Sequence, residues 1–153
     1  MKHNKFFKIL LLAPAIFLTI IFLLMFISRP INDNIAYNVV TELKQIPLPK
    51  NTVIVEEKAI SDRLCGNGDG VQYFGALLIK SDLSQEDLIT YYSQFSKKYH
   101  VEPQYDRRIK QDELALHQDN SFHTSIDSDD YFVLYSWGDY DSIFTYLDWR
   151  GIN

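Results

Sequence analysis

The chain contains little cysteine and, beyond its N-terminus, little basic charge. Its 153 residues include one cysteine, Cys65, which cannot form an internal disulfide, so the fold must rely on a hydrophobic core. A lipid-attached N-terminus is excluded, because that anchor needs a cysteine directly after the apolar run. Cys65 is left as a free thiol, an intermolecular link or a small turn residue.

Basic residues are concentrated at the N-terminus. Four of the 15 Lys and Arg residues, and none of the 20 Asp and Glu residues, lie within residues 1–29. Residues 30–153 therefore carry 11 basic and 20 acidic residues, a net charge of −9. This charge repels nucleic-acid phosphates, so we expect no nucleic-acid binding and a basic protein as the possible partner.

Motifs for catalysis and metal binding are missing. No Gly-x-Ser-x-Gly turn occurs, and nothing selects a nucleophile with a histidine and an orienting acid. Zinc sites need closer ligand pairs than the sequence provides; its histidines are His3, His100, His117 and His123. The sequence therefore predicts no cofactor, no metal site and no catalytic residue, and it favours a non-enzymatic protein.

The glycine cluster Gly66, Gly68 and Gly70 does not match a ligand-binding loop. Phosphate loops require a following helix, whereas a predicted strand follows here. A calcium loop fails because Val71 and Leu78 stand where ligands are needed. We interpret the glycines as a hairpin turn that requires positive φ.

A long uncharged run is the clearest feature that is present. Ile9–Ile27 spans 19 apolar or neutral residues without a charge, enough to cross a hydrocarbon core of about 30 Å as a helix. A cleaved signal peptide is the alternative, but its apolar region is shorter and ends in small residues. Here the run ends in Met25–Pro30, which offers no such site.

The flanking charges predict the orientation. Lys2, Lys5 and Lys8 precede the run and only Arg29 follows it directly, so the N-terminus should stay in the cytoplasm and the rest should be exported. We therefore divide the chain into a cytoplasmic stub (1–8), a transmembrane anchor (9–28), a juxtamembrane amphipathic helix with a Pro-containing linker (29–50), and an extracytoplasmic domain (51–153).

The first predicted element after the anchor is a separate helix over 33–46. Ile35, Val39, Leu43 and Ile46 fall on one face, with Asn32 or Asp33 as its cap and Pro47 and Pro49 ending it. A helix on the membrane surface and a helix packed on the domain are both open, but the missing Lys/Arg-rich face favours packing.

The remaining pattern predicts an α+β fold, with a mainly antiparallel sheet and helices on one face. Strands are predicted over 51–60 and 71–80, the second central. A helix follows over 84–98, with Ser84 as N-cap, Asp87 completing the capping box, and Leu83 and Leu88 forming a hydrophobic staple.

The C-terminal half is less regular. Residues 101–105 suit an edge strand because they contain Pro103, while 107–117 fit either a short helix or a polar excursion. A short strand over 121–126 and a hairpin of 131–137 with 143–149 complete the predicted sheet.

Acidic and aromatic residues around this hairpin provide the candidate interaction surface. Asp127, Asp129, Asp130, Asp139 and Asp141 either gather at one end of the sheet to bind a hard cation, or act as solvated turn residues. Tyr and Trp are common at recognition surfaces. The surface we predict for a basic partner consists of Asp139, Tyr140, Asp141 and Trp149.

Three groups of segments, Gln72–Ser84, Asp87–Tyr92, and Tyr135–Gly138 with Leu147–Gly151, resemble a group of small membrane-anchored bacterial proteins with no assigned activity. The resemblance implies a bacterial envelope location and a shared fold, and supplies no catalytic residues. We therefore expect an interaction module at the outer face of the cytoplasmic membrane. The alternatives are an envelope hydrolase using acids between Asp127 and Asp141, and an immunity-type protein against a basic toxin.

Overall fold

A computed structural model describes residues 2–64, 70–105 and 121–151, with side-chain positions between residues 12 and 150 of these ranges. The fold is α+β, as the sequence predicts. Its elements are α1 (Lys2–Gln45), β1 (Thr52–Asp62), β2 (Gln72–Ser81), α2 (Gln85–Ser93), β3 (His100–Pro103), β4 (Tyr131–Gly138), α3 (Ile143–Leu147) and a 3₁₀ helix (Trp149–Gly151).

The four strands form one antiparallel sheet in the order β1-β2-β4-β3. The two central strands are also the most continuously apolar, because both of their faces are covered. The short β3 lies at the edge and carries Pro103, which cannot donate a backbone hydrogen bond to a second neighbour. The predicted central position of 71–80 and the predicted edge strand are confirmed.

The sheet has a buried cluster on each face. Helices α1 and α2 cover one face, and the cluster there consists of Val39, Val40, Leu43, Ile46, Leu77, Ile79, Leu88, Tyr92, Val101, Phe132 and Leu134. The other face holds Leu64, Phe74, Ala76, Leu78, Phe122, Tyr131, Val133 and Tyr135. Alternate residues of β2 and β4 feed the two clusters, as expected for strands.

Helix α1 is continuous for 44 residues, so the predicted separate helix over 33–46 is wrong. Its apolar face packs on the sheet as expected. The predicted N-cap is absent, because the side chain of Asn32 binds Asp148 and the helix passes through Pro30 without a break. Most side chains from residue 12 to residue 27 are exposed. Among the described residues α1 is the one helix long and apolar enough to cross a membrane, a property that anchors share with signal sequences.

Helix α2 begins as predicted and ends early. The backbone N–H of Asp87 donates to Ser84 Oγ (3.2 Å), and Ser84 Oγ donates to Asp87 Oδ2 (2.6 Å). The helix stops at Ser93 rather than continuing to residue 98. Residues 96–99 turn into β3 instead, where the N–H of Tyr99 donates to Ser96 O (3.4 Å).

The predicted strand over 143–149 is wrong, because this segment forms α3 and the 3₁₀ helix. Strand β4 already pairs with β2 on one side and β3 on the other, so no edge is free for a hairpin partner. Ser142 begins α3 instead: its Oγ accepts from the N–H of Phe144 at 3.2 Å. Aromatic and β-branched composition favours a strand, and the tertiary pairing overrides it.

Two further predictions meet the structure only in part. Ser121 forms an isolated bridge, and no strand follows over 121–126. Strands β1 and β2 are adjacent and antiparallel, as a hairpin requires, and Gly70 has a φ of 125°. Cys65 and most of the glycine cluster lie outside the described residues, as does the whole of 107–117.

The chain direction gives the domain two distinct ends. Helix α1 leaves the apolar run at Arg29, and β1 starts beyond the helix's far terminus and runs back. The end of the sheet closest to the apolar run, which we call the near end, therefore contains Ser61, Gln72, Gly138 and α3. The opposite end, which we call the far end, contains Thr52, Ser81 and Asp130. Contacts from Arg150 to the backbone oxygens of Ser61 and Arg29 fix this assignment.

Candidate functional site

A buried ionic contact joins α1 to the C-terminal segment at the near end. The side chain of Asp148 is fully buried. Its carboxylate accepts from Arg150 Nε (3.0 Å) and Nη2 (2.7 Å), and from Asn32 Nδ2 (2.9 Å). A guanidinium that binds both oxygens of one carboxylate fixes orientation as well as distance. We call Asn32, Asp148 and Arg150 the junction.

The junction reaches three separate parts of the chain through Arg150. Its Nη1 donates to Asp33 Oδ1 and to the backbone oxygen of Ser61, both at 2.7 Å. Its Nη2 also donates to the backbone oxygen of Arg29 at 3.3 Å. One side chain thus ties α1, β1 and the C-terminal segment together.

The ionic pair stays charged despite its burial. Burial by itself would raise the pKa of Asp148, but hydrogen bonds from Arg150 and Asn32 outweigh it and lower that pKa below its usual value. Burial would lower the pKa of Arg150, and the carboxylates of Asp148 and Asp33 raise it instead. The arrangement suits a fixed structural connection between helix and domain, since both charged groups and the Asn32 amide nitrogen bind one another. The buried amide oxygen of Asn32 has no hydrogen-bond partner among the described residues.

A groove opens beside the junction, between α1 and the 3₁₀ helix. Its volume is about 420 Å³, and its lining consists of Phe22, Met25, Phe26, Arg29 and Trp149. The guanidinium of Arg29 lies over the Trp149 ring, 5.8 Å from its centre. Arg29 Nε is 3.9 Å from Asp33 Oδ2, a weak exposed contact. The groove is apolar along the helix and carries one cation at its outer end.

The four predicted surface residues all belong to the near end, in two settings. Asp139 and Asp141 are exposed beyond β4, with Asp139 Oδ1 accepting from Gln72 Nε2 at 2.7 Å. Tyr140 is 46% exposed. Trp149 is 57% exposed, and the guanidinium of Arg29 on α1 lies over its ring. A shared role of these residues in binding a partner stays a prediction.

The acids flanking β4 do not gather at one end of the sheet. Asp127, Asp129 and Asp130 precede the strand, whereas Asp139 and Asp141 follow it. Eight strand residues separate the two sets by about 25 Å, at a rise of about 3.3 Å per residue. Within 2–64, 70–105 and 121–151, no three His, Cys, Asp or Glu residues are placed to hold a metal ion.

The far end carries a shallow acidic cleft between α2 and the turn before β4. Its polar lining includes Asp82, Asp129 and Asp130. Lys80 Nζ lies 3.4 Å from Asp130 Oδ2. A hydrogen bond from Ser128 is the main reason that the pKa of Asp130 is lowered, and Lys80 adds to it.

Two of the histidines lie on the described part of the domain. His100 stacks on Tyr135 at 5.2 Å between ring centres. The N–H of His123 donates to Glu56 Oε1 (2.9 Å) and that of Thr124 to Glu56 Oε2 (2.8 Å). These contacts hold residues 123 and 124 against β1. His117 and the side chain of His3 lie outside the described residues.

The junction does not follow from the sequence patterns. Those patterns make Asn32 a helix cap and Asp148 part of a strand, and they give Arg150 no role. The one sequence signal is an Asp-x-Arg spacing in the C-terminal segment, Asp148-Trp149-Arg150. That spacing gains meaning only once the segment is known to pack on α1, 116 residues away along the chain.

Comparison with models of protein families, with curated proteins and with solved structures finds no match to this chain. The resemblance of its central and C-terminal segments to small anchored bacterial proteins therefore stays a prediction. The function has to be inferred from the geometry of the junction, the groove and the two ends.

Proposed function

We propose that this protein is a single-pass membrane protein that displays an acidic, non-enzymatic interaction domain outside the cytoplasm. The observation that carries the proposal is the continuity of α1. One helix holds the 19-residue uncharged run, most of whose side chains from residue 12 onward are exposed, and its next turns supply the buried residues Ala36, Val39, Val40 and Leu43.

An uncleaved anchor suits this helix better than a signal sequence. The apolar run is longer than the apolar region of most signal peptides, and no A-x-A-like pattern of small residues follows it. It also continues directly into a helix that the domain needs for its core. The Lys residues before the run favour a cytoplasmic N-terminus and an exported domain.

The junction supports a display function, because it removes freedom between anchor and domain. A flexible linker would let the domain turn in any direction. Here the helix enters the domain unbroken and is tied to it again through Asp148 and Arg150. The near end then faces the bilayer, and the far end points away from it.

The charge of the domain indicates the class of partner. A net charge of −9 over residues 30–153 attracts basic proteins and speeds their approach, and salt weakens this effect over about 8–10 Å. Exposed carboxylates stand at both ends, with Asp139 and Asp141 at the near end and Asp127 and Asp129 at the far end. A basic protein could therefore approach either end.

Topology is tested with a reporter that is active only outside the cytoplasm, fused after Asn153. We expect activity from the wild-type fusion, and weaker activity after Lys2, Lys5 and Lys8 are neutralised together. The matched control neutralises Lys80, Lys97 and Lys98, which lie within residues 51–153 and far from the apolar run. Reporter activity confined to the cytoplasm would reject the anchor.

Partner binding is tested by crosslinking the full chain in its membrane and then measuring association kinetics of the captured partner with the chain in nanodiscs. Two variants remove equal charge from opposite ends: Asp139→Asn/Asp141→Asn, and Asp127→Asn/Asp129→Asn. We expect the near-end variant to slow association and flatten its salt dependence, and Tyr140→Ala to speed dissociation. An association rate that does not change with salt concentration would contradict an acidic binding surface.

A further inference from the structure

We propose that the C-terminal segment Ile143–Gly151 is a second membrane contact, which binds a phospholipid of the bilayer that α1 crosses. This inference rests on the proposed function, since it requires α1 to span the membrane. The lipid phosphate binds Arg29, and an acyl chain lies in the groove along Phe22 and Phe26.

The junction sets the height of this segment above the hydrocarbon. Asn32 Nδ2 donates both to Phe144 O (3.0 Å) and to Asp148 (2.9 Å). Asn32 comes five residues after Ile27, the end of the uncharged run, which is about 7.5 Å along a helix. The headgroup layer on one side of a bilayer is about 5–7 Å thick. Asn32 thus lies at the outer edge of the headgroup layer, and Trp149, which lines the groove together with Phe22 and Phe26 of the run, lies below that edge.

The segment has the amphipathic character of an interfacial helix. Ile143, Tyr146 and Trp149 are 63%, 56% and 57% exposed. Ile143 and Tyr146 lie three residues apart and therefore along one side of α3, and Trp149 begins the 3₁₀ helix after the extended backbone of Asp148. Thr145 and Asp148, between them, are buried against the rest of the domain. Tyr and Trp are enriched where membrane meets water, because their rings have an apolar body and a polar atom.

The position and lining of the groove favour a lipid over a soluble partner as its ligand. Phe22 and Phe26 belong to the uncharged run, so the inner part of the groove opens at the depth of the acyl chains. Arg29 is the first charged residue after that run and stands at the outer end. This order, apolar walls and then one cation, matches an acyl chain followed by a phosphate.

The test uses the full chain in vesicles, with Trp137→Phe leaving Trp149 as the one tryptophan. Phosphatidylcholine vesicles with and without bromines near the top of the acyl chain are compared after flotation. We expect bromination to cause a roughly twofold loss of Trp149 emission, as for a ring at the membrane interface. The matched control, Trp149→Phe, leaves Trp137, which is half-buried on β4, and should be quenched much less.

Further variants separate the parts of the inference. Ile143→Ser/Tyr146→Ser should reduce quenching of Trp149. Arg29→Gln should reduce this quenching as well, whereas Arg29→Lys should retain part of it. Adding phosphatidylglycerol should increase the difference in quenching between the two Arg29 variants. If the quenching of Trp149 changes neither with Arg29→Gln nor with the charge of the lipid, the phosphate contact is overturned.

The outcomes also distinguish this inference from the proposed function. A chain that does not float with vesicles contradicts the anchor, and the lipid contact with it. A chain that floats but shows equal quenching of Trp149 and Trp137 overturns the lipid contact while the anchor stands. If the groove holds α1 of a second copy instead, Trp149 will be shielded from bromine until the protein is diluted in lipid, and that result would also overturn the lipid contact.

Discussion

The two ends of the domain are built from different interactions. The near end relies on a buried ionic junction that connects distant parts of the chain, with Asn32 and Asp148 being 116 residues apart. The far end carries exposed contacts, such as Ser84 with Asp87 and Lys80 with Asp130, and a buried hydrogen bond between the neutral hydroxyls of Thr52 and Ser81. Removing one partner of a buried charge pair lowers the free energy of unfolding far more than removing one partner of an exposed pair.

This difference follows the proposed roles of the two ends. In the proposed arrangement the near end faces the bilayer and holds the domain against its anchor, so its orientation matters and a bidentate contact supplies it. The end that points away has no second body to be aligned with. Its carboxylates Asp127 and Asp129 are exposed to solvent, as are Asp139 and Asp141 at the near end. The following predictions test the comparison, starting with the largest expected effect.

Breaking the junction should cause the largest loss of stability. Asp148→Asn leaves Arg150 largely buried with its charge only partly compensated, and we expect the free energy of unfolding to fall by about 3–5 kcal/mol. Denaturant titration of the full chain in micelles measures it. The control is Asp139→Asn, an exposed carboxylate at the same end, which should change stability little. Similar losses for both variants would contradict the special role of the junction.

The junction should also respond to acid. Because the pKa of Asp148 is lowered in the folded chain, its stabilisation is complete above the unfolded value of about 4 and is lost as pH falls through the folded pKa. We therefore expect the stability difference between wild type and Asp148→Asn to be constant near pH 7 and to shrink below about pH 4.

The quantity to follow is the difference in unfolding free energy between wild type and Asp148→Asn, since Glu56 and Asp130 also have lowered pKa values. Both carboxylates are present in wild type and variant, so their contributions cancel. Unfolding curves at pH 7 and at several acidic values supply the comparison. A stability difference that stays constant throughout the acid range would contradict an ionised Asp148 as the source of the stabilisation.

The contact between α1 and the sheet should be sensitive to a single methyl group. A Cβ atom on Gly75 would lie 2.6 Å from Val39 Cγ1 and 3.1 Å from Ala36 O. We expect Gly75→Ala to cost about 2 kcal/mol by overpacking, measured by thermal unfolding. Gly138→Ala is the control, because the atoms nearest to its Cβ would be those of the Tyr73 side chain, starting with the hydroxyl oxygen at 3.3 Å. Equal melting temperatures for both variants would show that α1 can move away from β2.

Local sequence patterns predict the far end better than the near end. Ser84, Asp87 and the start of α2 follow from side-chain contacts within one turn, which sequence spacing records. The central position of β2 follows from its continuous apolar run. The length and composition of the uncharged run are likewise enough to predict an apolar helix.

The near end could not be predicted, because its contacts are long-range. The turns of α1 after Arg29 look like a separate helix until Asn32 is seen to bind Asp148. Residues 143–149 have strand composition, and only the two neighbours of β4 show that no edge is available. The position of Trp149 in the groove depends on the same packing, so its place beside Phe22, Phe26 and Arg29 of α1 could not be foreseen.

The smallest expected effect concerns the two helix caps, one at each end of the domain. Ser84 Oγ accepts from Asp87 N at 3.2 Å, and Ser142 Oγ accepts from Phe144 N at 3.2 Å. Loss of either cap should cost about 1 kcal/mol. We expect Ser84→Ala to lower the melting temperature in micelles and in membranes alike, whereas Ser142→Ala should also reduce quenching of Trp149 by brominated lipid, since α3 carries that segment. Equal quenching in the two variants would mean that the C-terminal segment reaches its position without the support of α3.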